Sequence, residues 1–436
     1  ARSISGDRLR MRSAPNPLLL ADAGYYGTLA AARTLGREGV PVTVIDPSRA
    51  APALWSRHVT RRLRCPPFGD LERVTEWLAG FGEASPGHVV LATSDDVSFA
   101  LATHRAELSK HMVIGQPDLA SLIRILDKGR LLDDARAVGL DVPDTWLPQS
   151  DADVDRVVRE AGGPLVVKPR TQVLLATHGK GAIVDGPPSE MTAAYAHFRR
   201  RNRYGQALAS RFPEATWPML QRYHAQAMDG IYSLAGFRAR TGDGFAVLAA
   251  NKVLQRPRRL GIGLCFEEAS VDAGLADRVR RLCERVGYFG IFEVEFIREG
   301  ERSLLIDMNG RLYNQVAFDV ARGLPLPQLA YAEALDQRDE VTRLLERAHA
   351  VLGGSARGFC NRFGLEVLVA AKRVTGRMSQ EDARRWRAWC DERDGGLVDA
   401  VADRDDPRPM AFEVAAQLYG YLRHPLSFVR TIALDG

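Results

Sequence analysis

The sequence predicts an α/β protein of several domains: a Rossmann-like parallel sheet, then a region of antiparallel strands, then a mainly helical C-terminal region. Three observations carry this. Strand-like and helix-like segments alternate from about Asn16 onward, which argues for a parallel sheet with helices on its faces. Apolar runs joined by short polar turns follow between Gly230 and Asn309, the spacing of antiparallel hairpins. From about Ala348 the pattern becomes helical. With 436 residues, 46% of them hydrophobic, the chain exceeds one compact core, and two to four domains are expected.

The first strand is "PLLLADA", followed by the helix "GYYGTLAAARTLGREG", the strand "VPVTVID" and later the strand "HVVLATSDD". The turn "DAGYYG" resembles a phosphate-cradling loop and Asp46 stands where a ribose-binding acid would. The third glycine of GxGxxG is missing, so a scaffold without its own nucleotide is preferred and a nicotinamide dehydrogenase is the runner-up. Two helices come next, "LASLIRIL" and "DKGRLLDDARAVG", and Pro143 in "LDVPDTW" stops any continuation. "PLVVKPR" is a short buried strand ending in Lys168, and "WPMLQRYHA" is a further strand. "GIYSLAGFRARTGDGFAVLAANKVLQ" predicts two antiparallel strands turned at "TGDG". The amphipathic helix "DAGLADRVRRLCERVGYFG" leads into a hairpin whose strands, Ile291 to Ile297 and Ser303 to Met308, flank the turn "REGER". In the C-terminal region "SQEDARRWRAWCDER" begins from a Ser N-cap. The tail "LRHPLSFVRTIALDG" is amphipathic and suits packing against the body of the protein, ahead of membrane or partner binding.

The hairpin carries the chemistry. Side chains alternate along a strand, so Glu293 and Glu295 share one side of the first strand, and Asp307, Asn309 and Arg311 share one side of the second. Carboxylates brought this close need a shared proton or a cation. An all-oxygen set suits Mg²⁺, and Arg311 would hold a phosphate beside it. Lysines are rare here: only Lys110, Lys128, Lys168, Lys180, Lys252 and Lys372 stand among 59 basic residues. Lys168, at the end of a strand of strong β-formers, calls for a partner, and a phosphate is the expected one.

These residues together resemble the ATP-grasp superfamily, of carboxylate-amine ligase type, from roughly Asn16 to Tyr331. The resemblance rests on "ILDKGRLLDDARAVGLDVPDTW", on the lysine strand "PLVVKPR", on the hinge "LQRYH" and on "FEVEFI" with "LLIDMNGR". The segments "SDDVSFALATHRAEL" and "NKVLQRPRRLGIG" look closest to a subgroup with D-aspartate ligases and relatives of biotin carboxylase and carbamoyl-phosphate synthase. It implies a Rossmann-like domain before the ATP-grasp domain over 14–120, an ATP-binding lid subdomain over 121–230, a metal and substrate subdomain over 231–345, and a helical region over 346–436. It also implies that Lys128 and Lys168 contact ATP phosphates, that Gln221, Arg222, Tyr223 and His224 meet the adenine largely through backbone, and that Asp229 reaches the ribose. Glu295, Asp307 and Asn309 would hold Mg²⁺ or Mn²⁺, and Arg311 and Lys252 would act on the transferred phosphoryl group. Arg256, Arg259, Tyr313 and Asn314 would face the substrate, under a lid from Thr177 to Ala182. The chain departs from the family pattern at Asp307, where glutamate is usual, at "NGR" in place of "NPR", and at Gln221 in the hinge.

The resemblance further implies activation of a carboxylate as an acyl phosphate and its condensation with an amine. A bicarbonate-activating enzyme and a noncatalytic ATP-binding protein are the alternatives. Small-molecule carboxylates and amines are the expected partners, with a homodimer left open. The net charge of +5 does not gather with groove-reading elements, and the run "FRRRNRYG" reads as a solvated helix end, so nucleic acid is not expected. No run of about 18 uncharged apolar residues occurs and the first ten residues lack a secretory pattern, so a cytoplasmic protein without a membrane partner is expected. Five cysteines without CxxC spacing and nine histidines without HExxH spacing predict neither a disulfide framework nor a zinc site.

Overall fold

The computed structural model describes residues 15–176, 180–256, 260–351 and 355–423. Thr177 to Gly179 of the expected lid, Arg259, and the tail beyond Arg423 lie outside the described residues. The first sheet contains β1 (Leu18–Ala21), β2 (Val42–Asp46), β3 (Arg61–Arg64), β4 (Val89–Leu91) and β5 (Val113–Ile114). All pairings are parallel, in the order β3-β2-β1-β4-β5. Its inner strands read as continuous apolar runs because each feeds two cores: Leu18, Leu20, Val42 and Val44 face one, Leu19, Ala21 and Ile45 the other.

Two features at the loop after β1 have partners within the fold. A Cβ on Gly27 would lie 2.5 Å from the Tyr313 carbonyl oxygen, so this glycine lets the helix Tyr26–Arg37 approach the Tyr313 segment. Asp46 turns its carboxylate inward to the amides of Ala23 and Ser48. The features that suggested a dinucleotide site thus serve the fold itself.

A second, antiparallel sheet holds β6 (Thr145–Trp146), β7 (Leu165–Lys168), β8 (Ala182–Val184) and β9 (Met219–Arg222), in the order β6-β9-β7-β8. The third and largest sheet is built from β10 (Ile231–Arg238), β11 (Phe245–Arg256), β12 (Ile262–Ala269), β13 (Gly290–Glu299) and β14 (Arg302–Asn309). The β13–β14 strands run further than the sequence pattern suggested. Glu299 pairs with Arg302, and Gly300, at φ +60°, sits in the tight turn. The helix Ala273–Val286 buries Leu275, Val279, Leu282 and Val286 in the core that also holds Phe292, Val294 and Phe296 of β13.

At the centre of this sheet β10 lies between β11 and β13. A Cβ on Gly236 would fall 2.0 Å from the Ala246 carbonyl oxygen of β11. Because that neighbour is backbone in a central strand, Gly236→Ala is expected to destabilise the protein by about 1–3 kcal/mol or more. Thermal unfolding of the variant beside the parent checks this.

The C-terminal region is less purely helical than its sequence implies. It adds β15 (Gly358–Cys360) and β16 (Leu397–Asp399), giving the order β14-β13-β10-β11-β12-β15-β16. Cys360 pairs with Cys265 of β12, and with Cys390 they form a buried cluster of free thiols covered by the helices Arg362–Val374 and Gln380–Asp391. Beyond β16, the fully buried Asp406 accepts hydrogen bonds from Arg33, Ser56 and the Arg57 amide, which ties this region to the first domain. No helix among the described residues is long and apolar enough to cross a membrane.

Candidate active site

The site is built on β13 and β14. Glu295 pairs directly with Asp307 and Glu293 with Asn309. A β-bulge makes this possible. Leu304 stands opposite Ile297 and Leu305 opposite Phe296, yet Asp307 stands opposite Glu295, so Ile306 is the extra residue. Were Ile306 paired in regular register opposite Glu295, Asp307 would share the face of Leu305, which is fully buried. The bulge returns Asp307 and Asn309 to the side occupied by Glu293 and Glu295 while Met308 enters the core.

Three lysines converge there from other elements. Lys252 of β11 reaches Glu295 at 2.5 Å. Lys128, the first residue of the helix Lys128–Ala137, donates to Asp307 at 2.6 Å. Lys168, at the end of β7, donates to the Gln221 side chain of β9 at 3.0 Å. A buried unit holds the last two in place: Arg170 donates to both carboxylate oxygens of Asp127 at 2.9 and 2.7 Å, Asp127 caps the helix through the amides of Gly129 and Arg130, and the Lys128 amide donates to the Arg170 carbonyl.

Arg311 extends the row. It donates to Asp95 at 2.6 Å and to the Asn309 side-chain oxygen at 3.1 Å, and its guanidinium lies 5.6 Å from the Tyr25 ring centre. Glu293 accepts from Asn309 at 3.0 Å and from Gln315. Two adjoining cavities of about 100 and 160 Å³ share Lys180, Lys252, Glu295 and Asp307. Lys128 and Lys168 line the first, and Asn309, Arg311 and Asn314 the second.

Burial and neighbouring charge set the ionisation of these groups. Burial, reinforced by the positive charge of Lys128, brings the Lys168 ammonium down to about 8. Burial would raise the Asp307 carboxyl, but the charge and hydrogen bond of Lys128 outweigh it and hold the group below its ordinary value. Burial and the nearby Glu295 push the Glu293 carboxyl well above its ordinary value.

The structure therefore brings together Lys128, Lys168, Lys252, Glu295, Asp307, Asn309, Arg311 and Asn314, with Gln221 beside Lys168. It places other expected residues elsewhere. The amides of Arg222 and Tyr223 already donate to the carbonyls of Asp144 and Pro164, and His224 lies 3.1 Å from Glu299. Asp229 and Arg256 line a cleft of about 220 Å³ against the C-terminal helices, which meets the first cavity at Gln255. Tyr313, by contrast, stays with the site: it lines the second cavity beside Asn314, while its hydroxyl donates to Asp319 at 2.5 Å.

Sequence reasoning did not assign Glu293, Asp95, Tyr25, Gln315 or the Asp127–Arg170 pair. Only Glu293 carried a signal, its place two residues before Glu295. Among the described residues no three of His, Cys, Asp and Glu gather to hold a metal ion. The oxygen donors on one face are the carboxylates of Glu293, Glu295 and Asp307 with the Asn309 amide; Glu293 is already held by Asn309 and Gln315, and Glu295, Asp307 and Asn309 form a hard set that suits Mg²⁺ when water and phosphate oxygens complete it.

No family model matches the sequence, and no curated protein matches it. Solved structures do match the fold. The biotin carboxylase domain dimer of 2-oxoglutarate carboxylase from Hydrogenobacter thermophilus, solved with MgADP, ADP and bicarbonate, superposes with a TM-score of 0.58 at 13% identity, over 74% of this chain and 70% of that one. N5-carboxyaminoimidazole synthetase from Staphylococcus aureus gives 0.55 at 14% identity, over 73% and 77%. L-amino acid ligase from Bacillus licheniformis gives 0.52 at 15% identity, over 73% and 74%. The fold these three share with the chain is the ATP-grasp fold.

Proposed function

We infer, starting from the ATP-grasp fold, that the protein is an ATP- and Mg²⁺-dependent ligase that activates a carboxylate as an acyl phosphate and joins it to an amine. The observation that supports this best is the pairing of Lys252 with Glu295 and of Lys128 with Asp307 around cavities that Lys168 and Arg311 also line. Each lysine is a ready phosphate ligand and each carboxylate a ready metal ligand. ATP with its metal would divide the pairs, drawing lysines to phosphate oxygens and leaving carboxylates to the cation.

In this reading Lys128 and Lys168 hold the ATP phosphates, with Gln221 orienting Lys168. Glu295, Asp307 and Asn309 hold Mg²⁺, which when bound neutralises charge on the phosphate oxygens. Arg311, braced by Asp95, and Lys252 stabilise the phosphoryl group as it passes to the substrate carboxylate and ADP leaves. The amine then attacks the acyl carbon, its proton is lost, and phosphate departs. Asn314 lies on the substrate side, and the segment around Lys180 would exclude water from the acyl phosphate. A homodimer, the assembly of the Hydrogenobacter domain, is the oligomer to test by light scattering.

The test is ADP release with ATP, Mg²⁺ and a panel of acids and amines, with condensed products followed by mass spectrometry. ADP release that requires both an acid and an amine is expected. Release with bicarbonate alone would replace this reading with a carboxylase-like one, and nucleotide binding without turnover on any substrate would make the protein a noncatalytic binder.

Lys168 supplies a pH signature. Its folded value of about 8 lies below the ordinary 10.5, so between these limits the unfolded chain holds the proton more often and folding stability rises with pH. Phosphate oxygens favour the charged form, so nucleotide binding at about pH 8.5 is expected to take up protons. Calorimetry in buffers of different ionisation enthalpy should detect this uptake, and it should vanish in Lys168→Met.

A further inference from the structure

A second cavity, of about 630 Å³, opens at the carboxyl edge of β2 and β3 and shares no lining residue with the site above. Four guanidiniums line it, from Arg49, Arg62, Arg64 and Arg408, together with Leu54 and Trp55, and no carboxylate does. Its volume falls within the roughly 300–1,000 Å³ of small-molecule sites.

Arginines on an edge strand ordinarily stand in solvent to block pairing. Arg62 and Arg64 are instead anchored. Arg62 donates to the carbonyls of Leu54 and Ser56, and Arg64 donates through Nε and Nη2 to that of Pro47. These bonds use Nε and Nη2 of each side chain and leave both Nη1 groups available. Among the described residues neither Arg49 nor Arg408 has a carboxylate partner. Trp55 stacks on Phe412 with ring centres 4.9 Å apart, yet 44% of it remains exposed, which leaves an apolar shelf beside the cations. The Asp406 knot, two residues before Arg408, fixes the distant wall of the cavity to the first domain.

We propose that this cavity binds a small molecule carrying a phosphate group on a flat apolar body. A phosphate offers several acceptor oxygens and more negative charge than a single carboxylate, matching a set of guanidiniums with no internal counter-ion. The flat body lies against Trp55. The assignment does not depend on the ligase reading, because the two sites have no residue in common.

Phenyl phosphate is the probe, titrated by calorimetry into the full chain, with inorganic phosphate, benzoate and phenol in parallel. Saturable binding is expected, with phenyl phosphate at least about tenfold tighter than each of the other three. Arg49 and Arg408 are exposed, so the double variant Arg49→Ala/Arg408→Ala should unfold at the parent temperature and keep its ADP release. Its affinity for phenyl phosphate should fall about 100-fold, roughly tenfold for each guanidinium removed. Glu295→Gln should bind the probe as the parent does, which separates this site from the ligase site. No saturation by about 10 mM, unchanged affinity in the double variant, or benzoate binding as tightly as phenyl phosphate would each overturn the proposal.

Discussion

Replacing Glu295 by Gln is expected to lower ATP turnover by about 10²–10³-fold, the scale of loss when one preorganised electrostatic contact is removed from an active site. The same change has a second effect. Lys252 is 6% exposed and Glu295 is its ion-pair partner at 2.5 Å, so the variant leaves a buried ammonium without its counter-ion. About 1–3 kcal/mol of stability should be lost with it. The double variant Lys252→Met/Glu295→Gln removes both charges and should recover most of that stability while turnover stays low. Urea unfolding and ADP release, measured on the parent, both single variants and the double, complete the cycle. Normal turnover in Glu295→Gln would remove Glu295 from the proposed metal set.

Arg170→Met is expected to cost about 3–5 kcal/mol, because it strands Asp127, one of the most deeply buried carboxylates in the protein. The consequence should reach the nucleotide as well. Asp127 precedes Lys128, Arg170 follows Lys168 by two residues, and the Lys128 amide donates to the Arg170 carbonyl, so one buried pair sets the separation of both proposed phosphate ligands. ADP affinity should therefore fall by about tenfold or more even though neither Asp127 nor Arg170 lines the cavity. Asp127→Asn keeps an oxygen for the helix cap and should lose less of both. Denaturant unfolding alongside ADP titration separates the two effects, and unchanged ADP affinity in a destabilised Arg170→Met would make the pair purely structural.

Much of the fold and part of the site were legible in the sequence, for physical reasons that differ by residue. The first sheet could be read because both faces of its inner strands are buried, so Leu18 to Ala21 form an unbroken apolar run and Val42 to Ile45 a run interrupted only by the buried Thr43. The alternation of Asp307 and Asn309 was visible because period two survives along β14 beyond the bulge, and Arg311 follows just past the end of the strand. The bulge itself was not visible. Ile306 is an apolar residue in an apolar strand, and only the pairing of Leu304 with Ile297 shows that one residue has been inserted. The support of Arg311 by Asp95, 216 positions away, left no mark in local pattern. β15 and β16 escaped because three residues are too few to display alternation. The hinge expectation met a backbone already in use, since Arg222 and Tyr223 sit where β9 closes against β6 and β7.

The seam between β12 and β15 has a consequence for biosynthesis. During translation the strands that carry Lys252 and Glu295 emerge well before Gly358 to Cys360, so the nascent sheet waits with the outer edge of β12 bare. Arg33 waits still longer for Asp406, 373 positions downstream. A ribosome that stops early thus releases a chain that holds every side chain of the candidate site but whose sheet has an open, pairing-competent border.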